Sequence, residues 1–330
     1  MNIPTTRQFF RYRLQTVLFL PLYVLGGLEA ASRKTKIGGQ AIIEGVMMRG
    51  KAFVSWAVRK ASGDIALERH RFRSAGEKFP LLKKPVLRGV TNLFESLWLG
   101  LKALSRSAEI AAEEEENTTQ KGGSARDKFA GAMSMIAAFA LAFGLFLYLP
   151  MKILSYFIPQ ESAFLYNLLA GTIRIVFFLA YLIGISMWED IRRVFAYHGA
   201  EHKAIHAYEN GKSLTADTMR PYTTAHPRCG TSFLILVGLV CVFLFAIIDG
   251  VIIKFIGPYP NVITRTLVHL GLVPLVSGLS YEVLRFSANH PDAPIVRRLI
   301  LPGLWLQRIT TREPDDTQLG VAAKALEAVV

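Results

Sequence analysis

The chain of 330 residues has only two cysteines, Cys229 and Cys241, too few for a disulfide framework. Cys241 sits inside an apolar run, which leaves Cys229 as the one thiol of chemical interest. Acidic residues are scarce beside basic ones, 25 against 38, for a formal charge of +13. No recognition motif accompanies that charge, so nucleic acid is not an expected partner. The glycine-dense run Gly38–Gly50 lacks the Gly-Lys-Ser/Thr ending of a phosphate loop, and its glycines do not follow a dinucleotide fingerprint. No internal repeat is evident. Arg7, Arg11 and Arg13 precede the apolar stretch Leu14–Leu28 as in a signal peptide, yet no convincing small-residue cleavage site comes before Arg33 and Lys34. That stretch is short and interrupted by Pro21 and Gly26-Gly27, so an interfacial or re-entrant helix is expected.

What the chain has in excess is apolar length. Hydrophobic residues make up 52% of it, too many for an ordinary soluble protein. Runs of about 20 apolar residues match the hydrocarbon core of a bilayer. Four such runs stand out, at about Phe129–Leu149, Ala163–Met187, Ser232–Phe255 and Val262–Leu284. The connections Pro150–Ser162 and Ile256–Asn261 carry few cations. Trp188–Thr231, by contrast, carries Arg192, Arg193, Lys203, Lys212, Arg220 and Arg228, and the tail carries Arg285, Arg297, Arg298, Arg308 and Arg312. The positive-inside bias predicts that the N-terminal region, this central loop and the tail are all cytoplasmic. The basic surface would then meet anionic lipid headgroups.

The fold class expected is an α-helical integral membrane protein of about four transmembrane helices with a small cytoplasmic α+β N-terminal module. Its divisions are an extension (1–35), the α+β module (36–90), an amphipathic helix and linker (91–128), helices one and two (129–187), a His-rich cytoplasmic loop (188–231), helices three and four (232–284) and a basic tail (285–330). Within the module, Ala52–Lys60 and Asp64–Phe72 read as strands joined by a hairpin at Ser62-Gly63. Thr91–Ala112 reads as an amphipathic helix whose stripe of Leu93, Leu97, Leu101 and Leu104 packs on the membrane surface or on the first span. Glu113–Glu116 and the stretch to Arg126 read as a solvated linker. The run Gly38–Gly50 is expected to be a turn-rich contact surface, with Glu44 and Arg49 facing a metal site.

That metal site rests on the histidines. Four of the seven, His198, His202, His206 and His226, lie in the central loop. Trp188–Glu209 is predicted to be a helix stopped at Asn210-Gly211. On it His198 and His202 stand one turn apart on one face, with Glu201 beside them. This is the His-x-x-Glu-His arrangement, in which two imidazoles hold zinc and the glutamate takes a proton from water. His198 and His206 would be about 12 Å apart along the axis and hardly share an ion. His206 with Glu209 would hold a second metal or face solvent. A further ligand must come from elsewhere. One candidate is the His226/Cys229 pair, which would close a structural zinc site. The other is Glu282, arriving at the inner end of the fourth span and leaving a position open for water.

Charges inside the spans are costly unless paired. Arg174 in span two and Asp249 in span three are therefore expected to form a bridge, with Arg265 and His269 in the outer part of span four.

Gly38–Gly50, Arg88–Ser96, His198–Gly211, His226–Phe233, Tyr281–Ser287 and Pro302–Asp316 together resemble the signature blocks of the YqhQ-like bacterial family, a domain of unknown function often labelled a metal-dependent enzyme. The likeness runs over about residues 36 to 325. It implies a bacterial inner-membrane protein and supports a divalent metal, with zinc the expected ion. The expectation is a membrane-bound metal-dependent hydrolase with His198 and His202 as ligands, Glu201 as general base, and Glu282 or His226 and Cys229 completing the shell. The alternative is a non-enzymatic scaffold or assembly factor with a closed zinc site, recruiting a protein partner or anionic lipid.

Overall fold

Between residues 38 and 71 apolar side chains alternate in direction, and the chain pairs into an antiparallel meander: β1 (Gly38–Ile42), β2 (Gly45–Arg49), β3 (Phe53–Arg59) and β4 (Ile65–Arg71), in that spatial order. The computed structural model describes residues 37–112, 125–159, 161–227, 229–289 and 293–330. Leu14–Leu28 and the acidic run Glu113–Glu116 lie outside the described residues. Gly63 turns the β3–β4 hairpin at φ +91°, as the Ser62-Gly63 pair anticipates. The glycine-dense run is itself a hairpin, not a turn-rich surface, with Gly38 paired to Arg49 and Ile42 to Gly45.

The helices that follow are α1 (Ala75–Lys78), α2 (Leu87–Ala112), α3 (Ala125–Phe143), which continues through a π-helical turn at Gly144–Tyr148 into α4 (Leu149–Leu154), α5 (Ala163–Ile185), α6 (Glu189–Glu209), α7 (Ala216–Met219), α8 (Gly230–Phe255), α9 (Val262–Asn289), α10 (Pro294–Thr310) and α11 (Asp316–Glu327).

Both faces of the sheet are covered. Met47, Val54, Trp56 and Val58 point to one side and bury against Leu99, Ala103 and Ile110 of α2. Val46, Met48 and Ala57 point to the other and bury against Tyr197, Ala200 and Ala204 of α6 and Leu319, Ala322 and Leu326 of α11. Each large apolar side chain so buried contributes about 1.5–3 kcal/mol. The side chains of α2 that pack on the sheet are thus Leu99, Ala103 and Ile110, with Leu104 partly buried beside them, rather than the Leu93, Leu97, Leu101 and Leu104 stripe singled out in the sequence. Phe94, Leu97, Trp98 and Leu101 remain exposed along its outer side.

The basic tail is not a simple tail. It folds as α10, which packs along α8, and α11, which seals the second face of the sheet. Asp315 caps α11 by accepting from Gln318 N–H at 2.8 Å, and Ser55 Oγ of β3 donates to the Ala325 carbonyl at 2.5 Å.

Four segments are long and apolar enough to cross a membrane: Met133–Leu154, Ala163–Ile185, Val237–Phe255 and Val262–Phe286. Between three of them lies a buried polar knot. Asp249 of α8 accepts from Arg265 Nε at 2.8 Å, His269 Nε2 at 2.9 Å, Asn167 Nδ2 at 2.8 Å and Tyr259 Oη at 2.7 Å. This corrects the expected Arg174–Asp249 bridge. Arg265 and His269 are one turn apart on α9, so both reach the same station on α8. The guanidinium of Arg174 instead lies 5.8 Å from the Phe245 ring centre, and its Nε and Nη2 find no hydrogen-bond acceptor among the described residues.

Candidate metal centre

Helix α6 carries the histidines. Glu189 and Asp190 in its first turn suit the positive end of the helix dipole, and Gly211 at φ +67° stops it where the sequence predicts. Ala200, Ala204 and Ala207 let its inner face press on the sheet and α11. His198, His202 and His206 are thereby held against the segment between α7 and α8.

His198 Nδ1–H donates to the Thr310 carbonyl at 2.8 Å. A carbonyl can only accept, so the proton is on Nδ1, and the Nε2 lone pair faces Cys229 Sγ at 3.1 Å. His202 repeats the pattern: its Nδ1–H donates to the Thr224 carbonyl at 2.5 Å, and its buried Nε2 has no partner among the described residues. The donor atoms of His198, His202 and Cys229 all lie within 4.8 Å of one another. Tetrahedral zinc would ask for separations of about 3.5 Å. Burial pushes His202 well below the usual imidazole range, and His198 and His226 push it the same way, so it is neutral and ligand-competent.

Glu201 lies beside this group and is only 4% exposed. Burial pushes its carboxyl up to about 8, with Cys229 adding to the rise while His198 and the Gly39 N–H oppose it. Its Oε2 is buried with no hydrogen-bond partner among the described residues. Glycine at 39 makes room for it, since a Cβ there would stand 2.8 Å from the Glu201 carboxyl carbon. Gly199 does the same for the chain behind His198: a Cβ there would stand 2.0 Å from the Arg312 carbonyl.

The other expected residues lie apart from the three donors. His226 is a neighbour, its ring centre 5.5 Å from that of His202, but its Nε2 lies 3.8 Å from the Glu209 carboxylate. Its backbone is gripped by Gln307, which accepts from the His226 N–H at 2.7 Å and donates Nε2–H to its carbonyl at 2.8 Å. His206 donates Nε2–H to the Ala225 carbonyl at 2.9 Å and stacks on Tyr222. Glu282 is not brought to the histidines. Arg88 holds it with Nε at 2.7 Å and with a second contact through Nη2, and the Val86 N–H adds 3.2 Å. Glu44 pairs with Arg193 at 2.6 Å and Arg59 at 3.2 Å, and Arg49 pairs with Glu95 at 3.0 Å, so neither faces the centre.

The residues sequence reasoning missed act mostly through their backbones. The carbonyls of Thr310 and Thr224 give no side-chain signal. Gln307 and the two glycines were visible as residues, but their partners are far off in the chain.

A family model described as "Protein of unknown function (DUF1385)" matches residues 84–330, a range that includes the three donors and Glu201. The chain is 32% identical over 307 residues to "Uncharacterized protein YqhQ" of Bacillus subtilis (strain 168), covering 89% of this chain and 92% of that protein. No solved structure matches.

Proposed function

This chain belongs to the DUF1385 family, and we propose that it is a bacterial inner-membrane protein whose His198, His202 and Cys229 hold a divalent metal ion that serves hydrolysis. In this reading the four apolar helices cross the bilayer, and the sheet, the metal centre and both ends of the chain face the cytoplasm, in line with the cations gathered outside the spans.

One observation carries the metal: two imidazoles each give Nδ1–H to a main-chain carbonyl, which leaves their Nε2 lone pairs for a ligand, and both rings offer a donor atom within 4.8 Å of the Cys229 thiol. A histidine ligand oriented through its other nitrogen is the usual arrangement of a protein metal site. One thiolate and two imidazoles suit zinc. Such an ion, when bound, supplies Lewis acidity toward water or a substrate oxygen. Three protein donors leave a position for substrate, and Glu201 stands beside them to take and return a proton. The narrow space at Gly39 fixes its carboxylate on that side.

The scaffold reading draws on the nearness of His226, which would be the fourth protein donor of a closed centre. X-ray absorption at the metal edge separates the two. A shell of one sulfur, two nitrogens and a light oxygen donor supports the enzyme, while one sulfur and three imidazoles supports the scaffold. The metal itself is tested by elemental analysis of detergent-purified wild type beside His202→Ala and Cys229→Ser. Both variants are expected to lose the ion. Retention in both overturns the site.

A further inference from the structure

The signature blocks around Arg88 and Tyr281 play no part in the metal reading, yet the fold brings them together. Residues of α2 and the end of α9 close with Arg49, on the α2 side of the sheet, around a cavity of about 450 Å³. Gly89 and Gly278 allow the two helices to touch: a Cβ on Gly89 would stand 2.8 Å from the Gly278 Cα. The walls of the cavity are therefore set by backbone packing.

We propose that this cavity binds a phosphate ester, and that its source is the headgroup of an anionic phospholipid. The lining carries four cationic side chains, Arg49, Lys83, Arg88 and Arg285. Glu95 orients Arg49 and Glu282 orients Arg88. Lys83 and Arg285 have no ion-pair partner among the described residues. Glu77 on the lining is the remaining carboxylate. Asn92 and Tyr281 also line the cavity, and neither side chain makes a hydrogen bond to another described residue. Fixed guanidinium groups with further neutral donors are the chemistry that recognises phosphate oxygens.

The position favours lipid over a soluble phosphate. Arg285 lies in the last turns of the Val262–Phe286 segment, so the cavity opens where a helix fit to cross a bilayer ends. Basic pockets at such helix ends are suited to anionic headgroups. Phe79 at 62% exposed and Leu81 at 58% stand on the turns beside Leu82 and Lys83 of its lining, and Phe94 and Trp98 follow along α2. These are side chains that acyl chains and the interface would cover.

The full chain in a non-ionic detergent tests this with four added ligands: dioctanoyl phosphatidylglycerol, dioctanoyl phosphatidylcholine, glycerol 1-phosphate and inorganic phosphate. Phosphatidylglycerol is expected to raise Tm, with phosphatidylcholine weaker. Arg285→Gln and Lys83→Gln should each need about tenfold more of it for the same rise, whereas Lys212→Gln should match wild type. Both altered side chains are exposed and form no ion pair among the described residues, so the fold should be kept, and unchanged metal content in the variants checks this. A rise with glycerol 1-phosphate equal to that with the lipid supports the phosphate site and overturns the lipid source. Equal responses to the two lipids, or wild-type responses in both cavity variants, overturn the site. Neither outcome bears on the metal centre, whose test is independent.

Discussion

The Nε2 of His198 lies 3.1 Å from the sulfur of Cys229, joining the middle of α6 to the residue just before α8. The contact crosses 31 positions of chain, and Thr310 fixes it from a third helix through the opposite edge of the same ring. Three separate segments must therefore be in place before the donors converge.

Gly199 tests how tightly they are placed. An added Cβ would stand 2.0 Å from the Arg312 carbonyl and 3.1 Å from Thr224 Cγ2. Arg312 N–H is itself bonded to the Phe195 carbonyl at 2.9 Å, so the segment has little room to retreat. Gly199→Ala is expected to cost about 1–3 kcal/mol of stability and to weaken metal binding about tenfold by turning His198. Thermal unfolding and a competitive zinc titration measure the two. A Tm equal to wild type would contradict the packing argument, because alanine is otherwise the better helix former.

Chelation gives a second test. If the ion binds only the folded chain, its removal lowers stability by mass action. Excess chelator is expected to lower the Tm of wild type, and added zinc to restore it. Cys229→Ser should begin low and hardly respond. Equal chelator responses in the two proteins would count against Cys229 as a ligand.

Glu201 divides binding from turnover. Glu201→Gln keeps the size of the side chain and is expected to leave zinc stoichiometry at the wild-type value. Any hydrolytic activity found on a panel of ester, phosphoester and peptide substrates should fall by about 10²–10⁴-fold. Full activity with the ion bound would remove Glu201 from the chemistry.

The polar knot makes an asymmetric demand. Asp249→Ala strips the partner from Arg265 and His269 and is expected to cost about 3–5 kcal/mol. Arg174→Leu, which removes a guanidinium with two unbonded buried nitrogens, should be neutral or stabilising. Unfolding by graded addition of a denaturing detergent compares the pair. A larger loss from the Arg174 change would reverse the assignment of Asp249's partner.

Leu326 and Leu97 offer a contrast in the sheet module. Leu326 is fully buried on α11 and Leu97 is 54% exposed on α2. Leu326→Ala is expected to cost about 2–5 kcal/mol, and Leu97→Ala about 0.5 kcal/mol or less in detergent. Proteolysis at graded protease concentration reads the difference, and equal resistance would deny α11 its place in the core.

Much of this was legible because it is local. The turn at Gly63, the stop at Asn210-Gly211, the i, i+4 imidazoles and the apolar runs each follow from a few neighbouring residues. What was not legible depends on long separations. Glu282 meets Arg88 across 194 positions, which drew the carboxylate away from the histidines. Asp249 found Arg265 because two turns of α9 face it, and hydropathy does not reveal which span faces which. For the third donor, the sequence left Cys229, His226 and Glu282 open; Cys229 joins the group because its segment is tied down by main-chain contacts. The helix α11, with Leu319, Ala322 and Leu326 after the Asp315 cap, lay unread within the stretch taken as a basic tail. Its seat on the sheet depends on partners as far as 270 positions away, as Ser55 and Ala325 show.

That seat has a consequence for how the protein is made. Strands β1 to β3 precede all four apolar helices in the chain, while the helix that covers their second face follows them. The half-covered sheet must wait through the synthesis of all four apolar helices, exposed to chaperones and proteases. Thr310 also follows all four apolar helices in the chain, so the His198 ring gains its main-chain acceptor only after they have been made. The module therefore closes only after the apolar segments that separate its two halves in the chain.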